Sequence, residues 1–134
     1  MIYSIYNKQS LKIAADLINN GEIIVYPTDT LYGFGVNALN TNAIQKLNRL
    51  KGRVQPLSII LDSIKQIYKY ANIDNSIEDE ITKIFPGKYT ALLPAIENDL
   101  SHLVQNGSTK VGIRIPNHFF PIKLVAPGTT PEQL

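Results

Sequence analysis

Three short stretches of this chain carry residues that could do chemistry. The first, "PTDTLYGFGVNA" (27–38), sets Thr28, Asp29, Thr30 and Tyr32 ahead of Gly33 and Gly35. Hydroxyls beside flexible backbone suit a small polar ligand, and they equally suit a turn. Asp29, the lone acid of the stretch, is expected to orient backbone rather than act as a base. The second, "RLKGRVQPLS" (49–58), places Lys51 and Arg53 on either side of Gly52. Two cations at a helix C-terminus answer the helix dipole. In an extended turn they would instead form an anion clamp, in which a point charge and a planar fork hold adjacent phosphates. The third, "VGIRIP" (111–116), sets Arg114 among apolar neighbours. A guanidinium in a buried strand needs an anion, supplied by a structural carboxylate or by a ligand's.

Other candidates fall away on detail. "GFGVNA" fits the G-x-G-x-x-A dinucleotide fingerprint, but "PTDTLY" separates it from the strand, and no acid ends a second strand about 20 residues on. No G-x-x-x-x-G-K-[ST] is present, so a phosphate site would not be a P-loop. His102 and His118 lie in polar, loop-like stretches and read as surface residues, and Glu78, Asp79 and Glu80 read as the acidic first turn of a capped helix. With two histidines and no cysteine there is no zinc-ligand spacing, so any metal would be a hard cation held by oxygens.

The elements that must position these residues follow from periodicity. Residues 10–19 repeat apolar side chains at Leu11, Ala14, Ala15, Leu17 and Ile18, which predicts a helix stopped by Gly21 in a left-handed cap. "EIIVYP" predicts a strand buried on both faces. A helix capped by Thr41 presents Ile44, Leu47 and Leu50 and closes at Gly52. "PLSIIL" is the next strand. One helix then runs through Ile64, Ile67, Tyr68 and Ala71, and another from a Ser76 cap through Ile77, Ile81 and Phe85 to "PG". "YTALLP" and "KVGIRIP" are the last strands. This alternation predicts an α/β fold with a mixed sheet. At 134 residues, with no repeat or linker, the chain reads as a single domain, 1–134. A 44% apolar and 18% charged composition, no apolar run near the ~18 residues of a membrane span, and no signal-peptide pattern predict a soluble cytoplasmic protein with no membrane partner. A net charge of +2 neither demands nor excludes a polyanion.

Taken in order, "PTDTLYGFGVNA", "KGR" before "PLS", "FPGKYTALL" and "VGIRIPNH" resemble the YrdC/Sua5 family of threonylcarbamoyl-AMP synthases, over about residues 8 to 120. The resemblance implies a twisted mixed sheet flanked by helices, with an open basic cleft. It implies a nucleotidyltransferase that condenses L-threonine, bicarbonate and ATP, with Mg2+, into threonylcarbamoyl-AMP and pyrophosphate. Other tRNA threonylcarbamoylation proteins then carry the group to adenosine 37 of tRNA. Residue by residue, it puts Thr28, Thr30, Tyr32 and Arg114 around threonine, with Arg114 on the carboxylate and Gly33 and Gly35 letting backbone approach the ligand. Lys51 and Arg53 would be the catalytic cations on the phosphates and developing carbamate, and Ser58 a further nucleotide contact. Pro86 and Gly87 match a structural turn.

The sequence departs from the family pattern twice. "KGRVQPLS" is shorter than the usual segment, and the join near Val125 and Ala126 reads as if the helix, strand and "S-x-N" motif expected after "R-x-P-x-H" were absent, either lost from the protein or omitted from the sequence. A nucleotide- or RNA-binding module that kept the cleft and lost catalysis is therefore the alternative, with tRNA or double-stranded RNA as a partner, followed by a plain structural domain.

Overall fold

A computed structural model describes residues 2–125; Met1 and residues 126–134, and with them the far side of the join at Val125, lie outside the described residues. The order is α1 (Ser10–Asn19), β1 (Ile24–Pro27), β2 (Tyr32–Gly35), α2 (Thr41–Lys51), β3 (Ser58–Ile60), α3 (Ile64–Ile67), α4 (Asn75–Ile84), β4 (Ala91–Pro94), α5 (His102–Gln105), β5 (Lys110–Arg114) and α6 (Phe119–Val125). β1 and β2 form an antiparallel hairpin, while β3, β5 and β4 form a second sheet in that order. β5 runs parallel to β3 and antiparallel to β4, giving the mixed α/β architecture expected.

Alternation along β5 decides which face of the larger sheet is core. Val111 and Ile113 pair in register with Leu93 and Ile59, and all four are buried with Ile44, Ile67, Ile81 and Phe85 beneath the helices. Gly112 and Arg114, one residue out of phase, take the opposite face together with Ser58. A smaller core of Ala14, Ile24, Tyr26 and Phe120 packs α1 and α6 under the hairpin.

Helix ends explain the local folding. At α1, Gly21 has φ 81°, its N–H donates to Ile18 O, and Glu22 N–H donates to Leu17 O, which closes a Schellman motif. The same pair of bonds closes α2, from Gly52 (φ 71°) to Arg49 O and from Arg53 to Asn48 O.

Several expectations need correction. α2 is capped by Asn40, whose Oδ1 accepts from Ala43 N–H, because the Thr41 hydroxyl is taken by Ser101 at 2.8 Å. α4 is capped by Asp74, which accepts from the N–H groups of Ser76 and Ile77. β1 is buried on one face only: Val25 is 61% exposed, since a two-stranded hairpin has just one packed side. α3 stops at Ile67, and Ala71 instead bridges Ala95. β2, α5 and α6 were not foreseen, and His102 opens α5 rather than sitting in a loop.

Candidate functional site

The turn between β1 and β2 is built from its own hydroxyls. Thr28 N–H donates to Leu31 O at 3.1 Å, and the Thr28 hydroxyl donates to the same carbonyl at 2.6 Å while accepting from Thr30 N–H. With its one proton so committed, Thr28 can only accept from the Thr30 hydroxyl, 3.1 Å away. The Thr30 oxygen therefore keeps lone pairs with no partner among the described residues. Thr28 shapes the turn, and Thr30 presents the exposed acceptor.

Asp29 fastens this turn to the larger sheet. Its Oδ1 accepts from Arg114 Nη2, and its Oδ2 accepts from Asn117 N–H at 2.9 Å. Both side chains of the ion pair are only 14% exposed, and Arg114 Nε is buried without a partner. The anion that Arg114 required is thus present within the chain, 85 residues away in sequence. The guanidinium remains under-used on the Nε side.

Gly35 answers a packing demand. A Cβ on Gly35 would lie 2.6 Å from Tyr26 Cε1, and one on Gly33 would lie 3.9 Å from the same ring. The Tyr26 ring lies across β2, so Gly35 makes room for a side chain of the protein itself. Burial pushes the Tyr26 phenol up from its ordinary pKa, while the charge of Arg114 pulls it the other way. Gly112 similarly faces Ser58, whose Oγ would be 2.9 Å from an added Cβ.

The other sequence-derived residues are distributed as follows. Ser58 and Arg114 share one face of the β3–β5 pair, about 7 Å apart along the strand direction at roughly 3.3 Å per residue. Lys51 and Ser58 line a crevice of ≈ 540 Å3 between the two cores. Arg53 is exposed and does not line it; the left-handed cap at Gly52, rather than an extended turn, sets the two cations apart. Tyr32 is 76% exposed and lines a separate cavity of ≈ 1020 Å3 beside Tyr26. The sequence did not single out Lys69, Tyr70 and Asp99, which enter the Lys51 crevice. Burial, then Asp99, raises the pKa of Tyr70. No local signal marks them, since the turn after α3 and the loop after β4 bring them in only in three dimensions.

Comparison with known proteins gives this geometry a setting. The Sua5_yciO_yrdC family model, described as "Telomere recombination", matches residues 16–131. The chain belongs to this family. It is 34% identical over 118 residues to threonylcarbamoyl-AMP synthase of Pyrococcus abyssi, covering 86% of this chain and 34% of that protein. It is 32% identical over 122 residues to the Bacillus subtilis enzyme of that name, covering 89% and 35%. The structure of P. abyssi Sua5 complexed with L-threonine superposes with a TM-score of 0.80 at 31% identity, over 93% of this chain and 36% of that one. The chain thus spans about a third of the length of these family members. Among its described residues, no helix is long and apolar enough to cross a membrane.

Proposed function

We propose that this chain carries the synthase domain of a threonylcarbamoyl-AMP synthase, a transferase acting in tRNA modification, which condenses L-threonine, bicarbonate and ATP. The strongest support is the likeness to Sua5 complexed with L-threonine over 93% of the chain, combined with a guanidinium that Asp29 engages through Nη2 while its Nε is left without a partner. In this reading Arg114 meets the threonine carboxylate and Thr30 and Tyr32 face its polar atoms, with Thr28 shaping the turn that presents them. Lys51, Arg53 and Ser58 serve the nucleotide.

The chemistry fits such a set. Threonine's amine attacks the bicarbonate carbon, and loss of water leaves a carbamate; its oxygen attacks the α-phosphorus of ATP, forming the P–O bond as the bond to pyrophosphate breaks. No covalent protein nucleophile is needed, so the protein's work is to gather and neutralise anions. Magnesium arrives with ATP. Among the described residues no group of three His, Cys, Asp or Glu side chains could hold a metal, and Mg2+ at nucleotide sites rests largely on phosphates and water. The pathway's other proteins, and tRNA, would act on the product.

The test is calorimetric titration with MgATP. The Lys51→Ala/Arg53→Ala double variant should lose nucleotide binding. Binding equal to the parent's would place the phosphates elsewhere and leave the two cations as partners of the α2 dipole. A parent that binds MgATP but makes no product from threonine and bicarbonate would favour the binding-module reading.

A further inference from the structure

The ion pair between Asp29 and Arg114 is half made. Along one edge of a guanidinium, Nε–H and one Nη2–H point the same way, a fork that matches the two oxygens of a carboxylate. Asp29 fills only one prong. Its Oδ1 accepts from Nη2, but its Oδ2 is turned to Asn117 N–H at 2.9 Å, and Nε is buried with no partner among the described residues. The pairs Lys12–Asp16, Lys46–Glu22 and Lys83–Glu80 lie on well-exposed side chains, where water serves any spare donor. Here both side chains are 14% exposed, and water does not make up the shortfall at Nε. A buried donor left unpaired is costly, so a carboxylate with both oxygens free would hold this edge better than Asp29 does.

The surroundings let Asp29 yield its prong without unfolding. The turn it sits in is closed independently, by Thr28 N–H and the Thr28 hydroxyl on Leu31 O. Its second oxygen stays on Asn117 N–H, which follows β5. One bond, from Nη2 to Oδ1, is all that has to change hands.

We propose that Asp29 is a latch: its carboxylate stands in for the free α-carboxylate of an amino acid, which takes over the Nε and Nη2 edge of Arg114 as it binds. The inference rests on the proposed synthase reading, with L-threonine as the amino acid, and deepens it. Exchange sets the affinity. The ligand forms two charge-assisted bonds but displaces one, so part of its binding free energy goes into releasing Asp29, and the site holds threonine more weakly than an unopposed fork would. Exchange also sets the ligand class. A carboxyl group blocked as an amide or reduced to an alcohol cannot open the latch, so the site takes free amino acids and refuses those already joined through their carboxyl.

The experiment is calorimetric titration of the whole chain with L-threonine and with L-threoninol, in which a hydroxymethyl group replaces the carboxylate. Asp29→Asn keeps the side chain's size and an oxygen for Asn117 N–H while removing the competing charge. It should bind L-threonine roughly tenfold more tightly than the parent, the worth of one charge-assisted bond that no longer has to be displaced. L-threoninol and MgATP should gain nothing. Damage to the fold weakens binding, so it cannot mimic a selective gain. In the parent itself, the Arg114 Nε–H resonance, followed by NMR, should move downfield on saturation with L-threonine and stay in place with L-threoninol; this keeps the test sound if Asp29→Asn fails to fold. Unchanged or weaker threonine binding by a folded Asp29→Asn, an equal gain for MgATP, or a parent Nε–H resonance that ignores threonine overturns the latch, while the synthase reading stands on product formation. A parent that binds no L-threonine and makes no product overturns both.

Discussion

The two sheets of this protein handle the same problem in opposite ways. The β3–β5–β4 sheet packs one face into the main core, with Val111 and Ile113 under helices, and leaves the other for Ser58 and Arg114. The β1–β2 hairpin has only a small core beneath it, leaves Val25, Tyr32 and Phe34 exposed, and is tied to the larger sheet by Asp29. Stability thus concentrates in the first and exposed hydroxyls in the second. A site that must admit and release a substrate draws on the less stable element.

That contrast can be broken most severely in the large sheet. Ile113→Ala, at a fully buried position, should cost about 2–5 kcal/mol, whereas Val25→Ala in the hairpin should stay within about 0.5 kcal/mol. Urea denaturation of both variants checks the difference, and equal costs would erase the distinction between the sheets. Next is the tie itself. Asp29→Ala strands a mostly buried guanidinium and should cost about 2–3 kcal/mol, less than for a fully dry pair because both groups keep some solvent contact. Removing both charges, as in Asp29→Leu/Arg114→Met, should recover part of that loss. If the double variant is no more stable than Asp29→Ala, the pair is not the tie.

A smaller effect sharpens the account of the glycines. Gly35→Ala should cost about 1–2 kcal/mol through its clash with the Tyr26 ring, and distinctly less in a Tyr26→Leu background. Thermal melts of the four-member cycle would show this coupling; purely additive costs would mean that Gly35 serves something other than Tyr26. The smallest expected effect is a pH dependence far from the hairpin. Hydrogen bonds from the Ser76 hydroxyl, then from Ile77 N–H, hold the Asp74 carboxyl below its ordinary 3.8. A depressed carboxyl stabilises the fold above its unfolded pKa and loses that contribution as pH falls through the folded value. The stability gap between parent and Asp74→Ala should therefore be level near neutrality and shrink only in acid below the ordinary carboxylate range. A gap that vanishes by pH 6 would contradict the capping role.

Much of this architecture is written locally. The apolar stripes of α1 and α2, their closure at Gly21 and Gly52, and the mixed strand–helix alternation follow from 3.6-residue periodicity and left-handed caps. β2 was illegible because "YGFG" alternates glycine where a strand usually carries bulk, and the reason at Gly35, the Tyr26 ring packed against it, exists only in the fold. Short α5 and α6 leave too little periodicity to read. Arg114 announced its need for an anion, but the sequence left open which one, since Asp29 comes from another sheet. Thr28 and Thr30 looked equivalent by type; only the bond from Thr28 to Leu31 O separates the shaper of the turn from the exposed acceptor.

The central claim, that Arg114 and the turn it anchors receive threonine for an ATP-dependent condensation, is tested most directly by product formation. Parent and Arg114→Lys would be compared with labelled bicarbonate, ATP and varied L-threonine, scoring threonylcarbamoyl-AMP. The account predicts product in the parent and, in Arg114→Lys, a threonine dependence weakened by about 1–3 kcal/mol through loss of the planar fork, with ATP dependence nearly unchanged. No product from the parent, or a threonine dependence in the variant equal to the parent's, would contradict it.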